Sequence, residues 1–315
     1  MTIKLLIGFV LIVVGAEGFL RGAGGLRDVM KLPPFVIGLL LIGFGTSVPE
    51  LAIGAGATLA RFEAVALGML LGSFIVNLAL LLGICVLIKP ITLSNKAIGK
   101  DGAAMVIAAL YLLAGCVLKP TGWMWPVLGL ALFATYMGLT FVEEGRLSGT
   151  GIMARKADFV RRGPTHTALN LILLVGGLGA IVFGSGQLIE GGVGYAADMG
   201  VPLTVIGIAI IAIFTSIPEA VVSIHSTLKG QGDVAVGNLL GSNIFNLLLI
   251  LPLCQLLLPS GASFYAGPWS MHAFAALMVG LVAYGFILTN RAIGRLDGAV
   301  LLLIYGCYLL ATLFQ

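Results

Sequence analysis

Two pentapeptides 169 residues apart, TSVPE at 46–50 and TSIPE at 215–219, each put a carboxylate beside two hydroxyls and a proline inside a long apolar run. Of the 13 acidic residues, only Glu50 and Glu219 fall in the middle of such a run, and no lysine or arginine lies near their depth. A carboxylate removed from water must be protonated, paired or bound to a cation. On a helix, Thr46 and Ser47 precede Glu50 by four and three residues and share its face. Thr215 and Ser216 stand in the same relation to Glu219. Downstream, GSFIVN at 72–77 and GSNIFN at 241–246 place Ser73 with Asn77, and Ser242 with Asn246, one helical turn apart. Two carboxylates and eight oxygen-bearing side chains, with no imidazole or thiolate among them, suit Ca2+, Na+ or Mg2+ rather than zinc or copper. Ca2+ accepts flexible shells of oxygen ligands, whereas Mg2+ resists full dehydration. Pro49 and Pro218 lack an N–H, so carbonyls around Gly45–Thr46 and Phe214–Thr215 lose a helical donor and can face an ion. The alternatives are a simple kink at each proline and a neutral glutamate in a helix–helix hydrogen bond. Repetition of the whole set in two places favours the cation.

The elements that carry these residues are membrane spans. The 315 residues are 59% hydrophobic and 10% charged, with a mean hydropathy of +1.13, where a soluble domain is nearer a quarter charged. Ten apolar runs of about the ~20 residues needed to cross a bilayer follow one another: 3–20, 34–60, 64–88, 102–118, 121–141, 167–189, 201–228, 234–258, 268–289 and 297–314. The predicted fold is therefore an all-α polytopic membrane protein of ten transmembrane helices. The N-terminal run could pass for a signal peptide, but its match to the second half predicts that it stays as the first helix. A polar, charged segment at 142–166 divides the chain into 1–141 and 167–315, five spans each.

The two halves are copies. Residues 32–90 aligned on 201–259 without a gap are identical at 26 of 59 positions. An odd number of spans per copy makes the second enter the membrane from the opposite side, the inverted-topology repeat of secondary transporters, whose site lies at the midplane. With both termini outside, 14 of the 17 basic residues fall in inner loops and only Lys4, Arg61 and Lys119 in outer ones. That bias predicts extracytoplasmic termini, a cytoplasmic 142–166 segment, and Trp123, Trp125 and Trp269 at outer helix ends as interfacial anchors.

Other features read as packing. Cys85, Cys116, Cys254 and Cys307 sit singly in apolar runs and are expected to be small buried hydrophobes. Glu17 and Glu190 lie toward span ends and can pair or snorkel, Glu17 with Arg21. His225 reads as packing or interfacial, and His166 and His272 as lacking partners. The 45 glycines fit close helix approach. No basic cluster interleaved with aromatics points to nucleic acid, and no nucleophile–base pair or zinc cluster points to an enzyme.

GTSVPE with GSFIVN, and FTSIPE with GNLLGSNIFN, resemble the two motif pairs of the sodium/calcium exchangers, a family of cation/calcium antiporters, over both halves of the chain. The resemblance implies a prokaryotic-type ten-helix member in the plasma membrane, with no cofactor and no obligate protein partner, alternately opening one central site to each side. It implies a calcium site of Glu50 and Glu219 with the backbone oxygens of Thr46 and Thr215. Sodium sites would add the carbonyls of Gly43 and Ala212 and the side chains of Ser47, Ser73, Ser216 and Ser242, with Asn77 and Asn246 completing the centre. Two positions depart from the motif: Met69 and Phe74 stand where the second copy has Asn238 and Asn243. Some relatives, including potassium-dependent exchangers, carry Asp where Asn246 stands, so only two core carboxylates remain and potassium cotransport is not expected. The expected function is calcium exchange for sodium. Proton/calcium exchange on the same scaffold is the alternative, and a cation channel a remoter one.

Overall fold

Proline and glycine decide where the helices break and where they cross. The computed structural model describes residues 2–30, 46–93, 97–148, 164–259, 262–290 and 292–314. Its helices are α1 Thr2–Met30, α2 Val48–Leu59, α3 Glu63–Ile88, α4 Ala97–Leu118, α5 Met124–Ser148, α6 Pro164–Met199, α7 Leu203–Thr215, α8 Ile217–Leu228, α9 Gly232–Leu256, α10 Ser270–Asn290 and α11 Arg295–Leu313. Among the described residues seven helices are long and apolar enough to cross a membrane, or eight if α7 and α8, bent by 47° where they meet, make one span, and helix fills most of the described length of each expected span. A two-residue antiparallel ladder, Ile91–Thr92 with Ala292–Ile293, ties the end of α3 to the start of α11. Gly43, the rest of 31–45 and most of the 142–166 segment lie outside the described residues.

The helices that open the two halves, α1 and α6, pack antiparallel along a glycine seam. A Cβ on Gly8 would lie 2.7 Å from the Gly184 carbonyl, one on Gly15 would lie 2.7 Å from the Gly177 carbonyl, and one on Gly22 would lie 2.5 Å from the Asn170 carbonyl. The seven-residue step keeps all three glycines on one face, and only hydrogen fits there. Antiparallel pairing of equivalent helices is what two copies entering from opposite sides produce. A second crossing joins the halves at their centre, where a Cβ on Gly72 of α3 would lie 2.5 Å from the Ile208 carbonyl of α7.

Burial follows the repeat. The apolar windows of α3 and α9 are each 78% buried, those of α4 and α10 44%, while α5 and α11 bury 11% and 22%. α3 and α9 are thus the paired core, and α5 and α11 turn mostly apolar faces outward, as lipid-facing helices do. At 36 residues, α6 runs to ~54 Å, well beyond the ~30 Å hydrocarbon thickness.

Several expectations change. Trp269 is 1% exposed and donates its Nε1–H to the Ala266 carbonyl at 3.1 Å, so it is a core residue rather than an interfacial anchor. Trp125 stacks on Tyr111 and donates to the Tyr265 hydroxyl. Trp123 is exposed. His272 has a partner: its Nδ1 lies 3.1 Å from the Tyr308 hydroxyl. Cys85, Cys116 and Cys254 are buried, but Cys307 is exposed on α11. Glu17 pairs with Arg21, and Glu190 pairs across the seam with Lys4 at 2.6 Å.

Candidate cation site

The helix breaks sit at equivalent residues. Ser47 has φ −91°, ψ 6° and Ser216 has φ −81°, ψ 5°, each just before the helix that carries the glutamate. Pro49 and Pro218 fall in the first turn, where a missing N–H leaves no helical bond unmade. Neither serine caps its helix with its side chain, so both hydroxyls are spared for the interior. Glu50 and Glu219 consequently lie in a first turn, where free amide N–H groups and the positive end of the helix dipole favour an anion. Both are fully buried.

α3 and α9 bring the second set. Each widens into a π-helical turn shortly after its serine: Val76–Leu81 follows Ser73, and Asn246–Ile250 follows Ser242. Such turns insert one residue into an α-helix and recur at functional sites. Here they carry Asn77 and Asn246, both fully buried, into the same cluster.

Contacts across the cluster join one half to the other. Ser73 Oγ lies 2.9 Å from Ser216 Oγ, donates to Glu50 Oε1 at 3.4 Å and receives Asn246 Nδ2 at 3.3 Å. Thr46 Oγ1 lies 3.3 Å from Ser242 Oγ. Thr215 adjoins the Glu50 carboxylate, and Thr46 and Ser242 adjoin that of Glu219. Each carboxylate is therefore flanked by a serine from its own half and a threonine from the other.

Six buried side-chain oxygens of the cluster have no hydrogen-bond partner: Ser47 Oγ, Glu50 Oε2, Asn77 Oδ1, both carboxylate oxygens of Glu219, and Asn246 Oδ1. An orphaned buried acceptor costs about 1–3 kcal/mol, and more when charged. Six at one place, two carboxylates among their sources, form an oxygen-rich surface of the kind a dehydrated hard cation takes. Among the described residues no three His, Cys, Asp or Glu side chains converge, and the donors present are hydroxyl, amide and carboxylate oxygens, the kind that hard cations prefer.

Of the residues singled out in the sequence, Thr46, Ser47, Glu50, Ser73, Asn77, Thr215, Ser216, Glu219, Ser242 and Asn246 all belong to this buried cluster. Ala212 is buried with them, but its carbonyl already accepts the Ser216 N–H and the Thr215 hydroxyl, both at 3.1 Å. As a ligand it would need the threonine to turn away. Asn243 joins the centre as an addition to that set. It accepts Asn77 Nδ2 at 3.0 Å and donates to the Phe74 carbonyl at 3.3 Å. Its signal in the sequence is the lack of a polar counterpart, since Phe74 occupies the equivalent position.

The family model described as sodium/calcium exchanger protein matches residues 2–142 and 169–314. The chain belongs to the sodium/calcium exchanger family. Among its relatives in that family, the putative antiporter CaxA of Alkalimonas amylolytica is 30% identical over 98% of this chain and 97% of its own length. The sodium/calcium exchanger MaX1 of Methanosarcina acetivorans is 28% identical over 98% and 97%. A solved structure of the sodium-calcium exchanger NCX_Mj, soaked with Na+ and Sr2+, superposes with a TM-score of 0.64 at 25% identity, covering 96% of this chain and 95% of that one. This family member shares the all-helical membrane-transporter fold of NCX_Mj.

Proposed function

We propose that this membrane antiporter exchanges Ca2+ for Na+ at a single central site opened alternately to either side. The observation that carries the reading is the buried pair Glu50 and Glu219 with its six unpartnered oxygens. Ca2+ balances both carboxylates and takes its remaining ligands from hydroxyl, amide and carbonyl oxygens. Na+ uses the same two carboxylates together with Ser47, Ser73, Ser216 and Ser242, so the two loads exclude each other. The bare dianion is too costly to carry through hydrocarbon, and movement therefore requires one load or the other. Sodium and calcium are the ions for which MaX1 and NCX_Mj are named, and they are assigned here by that kinship and by the oxygen chemistry. The loop charges support extracytoplasmic termini with the 142–166 segment in the cytoplasm.

Proton/calcium exchange is the second reading, because two protons would also neutralise the pair. The hydroxyls around the carboxylates favour sodium, since protonation does not call for them. Purified protein in proteoliposomes, with pH clamped on both sides, decides between them. Calcium uptake driven by an imposed sodium gradient is expected, and its loss in Glu50→Gln. Uptake that follows only a proton gradient would replace sodium by H+. Uptake without any counter-ion would make the protein a channel.

A further inference from the structure

One turn beyond the two glutamates the halves stop matching. Beyond Glu50 stand Gly54 on α2 and Met69 on α3, and the equivalent positions beyond Glu219 are Ser223 on α8 and Asn238 on α9. The first side is closed by apolar and sulfur atoms. A Cβ on Gly54 would lie 2.9 Å from Cys254 Sγ and 3.7 Å from Met69 Cε. The second side is polar. Asn238 Nδ2 donates to Ser223 Oγ at 3.0 Å and to the Glu219 carbonyl at 3.4 Å, while Ser223 Oγ donates to the Ala235 carbonyl at 3.3 Å. This uses the donors of Asn238 and leaves its Oδ1 without a partner, on a residue only 5% exposed.

The difference continues one turn further. Thr58 donates its hydroxyl to the Gly54 carbonyl at 2.7 Å, but its counterpart Thr227, 1% exposed and beside the Cys85 thiol, makes no such hydrogen bond through its Oγ1. Thr227 lines a cavity of about 160 Å3 with Lys89, Thr92, Gly230 and Gly232. That cavity lies where the segment after α3 meets the turn between α8 and α9.

We propose that Asn238 Oδ1, the Ser223 oxygen and the Thr227 hydroxyl form an accessory cation subsite between Glu219 and the Lys89 cavity, with no counterpart beyond Glu50. It rests on the reading of the protein as a cation antiporter. Its ligands are all neutral oxygens, so the ion it takes is an alkali or alkaline-earth cation that keeps part of its water. Such a site binds firmly enough to draw an ion from the cavity and weakly enough to release it to the carboxylates, the condition for stepwise passage. The Lys89 face is the cytoplasmic one by the loop charges, so the device makes cytoplasmic entry and exit unlike the extracytoplasmic step.

The test substitutes the first half's residues into the second. The Ser223→Gly/Asn238→Met double variant is studied in membrane vesicles of each orientation, with Ca2+ as the probe. Its KM is expected to rise about 25-fold at the Lys89 face, about fivefold for each of the two neutral ligands lost, and to stay unchanged at the opposite face. Asn238→Asp, which keeps the oxygen and adds charge, is expected to lower KM at the Lys89 face alone. Equal shifts at both faces, no shift at either, or an Asp variant that behaves like Met would overturn the subsite. A wild type that moves no calcium under any gradient would sink the antiporter reading instead. In that event Ser223→Cys, in a protein without the four native cysteines, still reports on the path. Modification by a membrane-impermeant thiol reagent from the Lys89 face alone, slowed by Ca2+, supports it. No reaction, or reaction from the other face, overturns it.

Discussion

Glu50 and Glu219 occupy equivalent positions in the two halves, yet their surroundings differ. Glu50 has a hydroxyl donor in Ser73, whereas both oxygens of Glu219 are unpartnered. Ser73 touches three polar groups across the cluster, whereas its counterpart Ser242 touches Thr46 and adjoins the Glu219 carboxylate. The asparagines diverge too: Asn246 reaches to Ser73, but Asn77 is drawn to Asn243. That divergence has a local cause. Asn243 offers Asn77 an acceptor, and the Phe74 side chain at the equivalent place offers Asn246 none. One residue difference therefore takes a site built from two copies away from two-fold symmetry. The first half supplies a pre-bonded carboxylate, and the second supplies a less satisfied one with polar groups behind it.

The largest effect should come from removing either charge. Glu50→Gln and Glu219→Gln are each expected to cut calcium flux at least ~100-fold, about 3 kcal/mol, because a buried divalent ion then lacks half its countercharge. Their stabilities should separate them. In ion-free detergent solution Glu219→Gln is expected to raise Tm more than Glu50→Gln, since it removes a buried charge with no hydrogen-bond donor on either oxygen, where Glu50 already accepts from Ser73. A larger gain for Glu50→Gln would break the asymmetry between the halves.

The serines sharpen the same comparison at smaller scale. Ser73→Ala removes a hydroxyl shared by Glu50, Ser216 and Asn246, and is expected to weaken ion affinity about tenfold. Ser242→Ala removes the contact to Thr46 and a hydroxyl beside Glu219, and is expected to cost about threefold. Calcium titrations of the two purified variants give the ratio directly, and equal losses would mean that the two halves contribute alike once an ion is bound.

Much of this site is legible in the amino-acid sequence alone, because charge at membrane depth is rare enough to be read singly. Glu50 and Glu219 stand out for that reason, and helical spacing gathers their hydroxyls. The membrane-spanning helices are legible because apolar runs of that length have few other uses. What escapes such a reading is non-local or small. A π-helical turn adds one residue without disturbing an apolar pattern, so nothing at 76–81 or 246–250 announces it. The partner of His272 lies 36 residues away on another helix, and the neighbours of Trp269 in the chain give no sign that it turns inward. The glycine seam is present as a seven-residue step at 8, 15 and 22 and at 177, 184 and 191, but its meaning depends on the antiparallel pairing of α1 with α6.

The same carboxylate chemistry at a different depth gives the smallest effect and the cleanest control. Glu17 and Glu190 also belong to apolar helices, but their side chains are 57% and 60% exposed and each meets a basic partner, Arg21 or Lys4. Exposed ion pairs contribute about 0–1 kcal/mol, because solvent screens them and two long side chains lose freedom to form them. Glu17→Gln and Glu190→Gln are therefore expected to leave calcium affinity unchanged and to shift Tm by no more than about two degrees. A large loss of transport in either would mean that the ion path runs along the α1–α6 seam. The pairing of Glu50 with Glu219 would then no longer be the single place where charge inside the membrane is put to use.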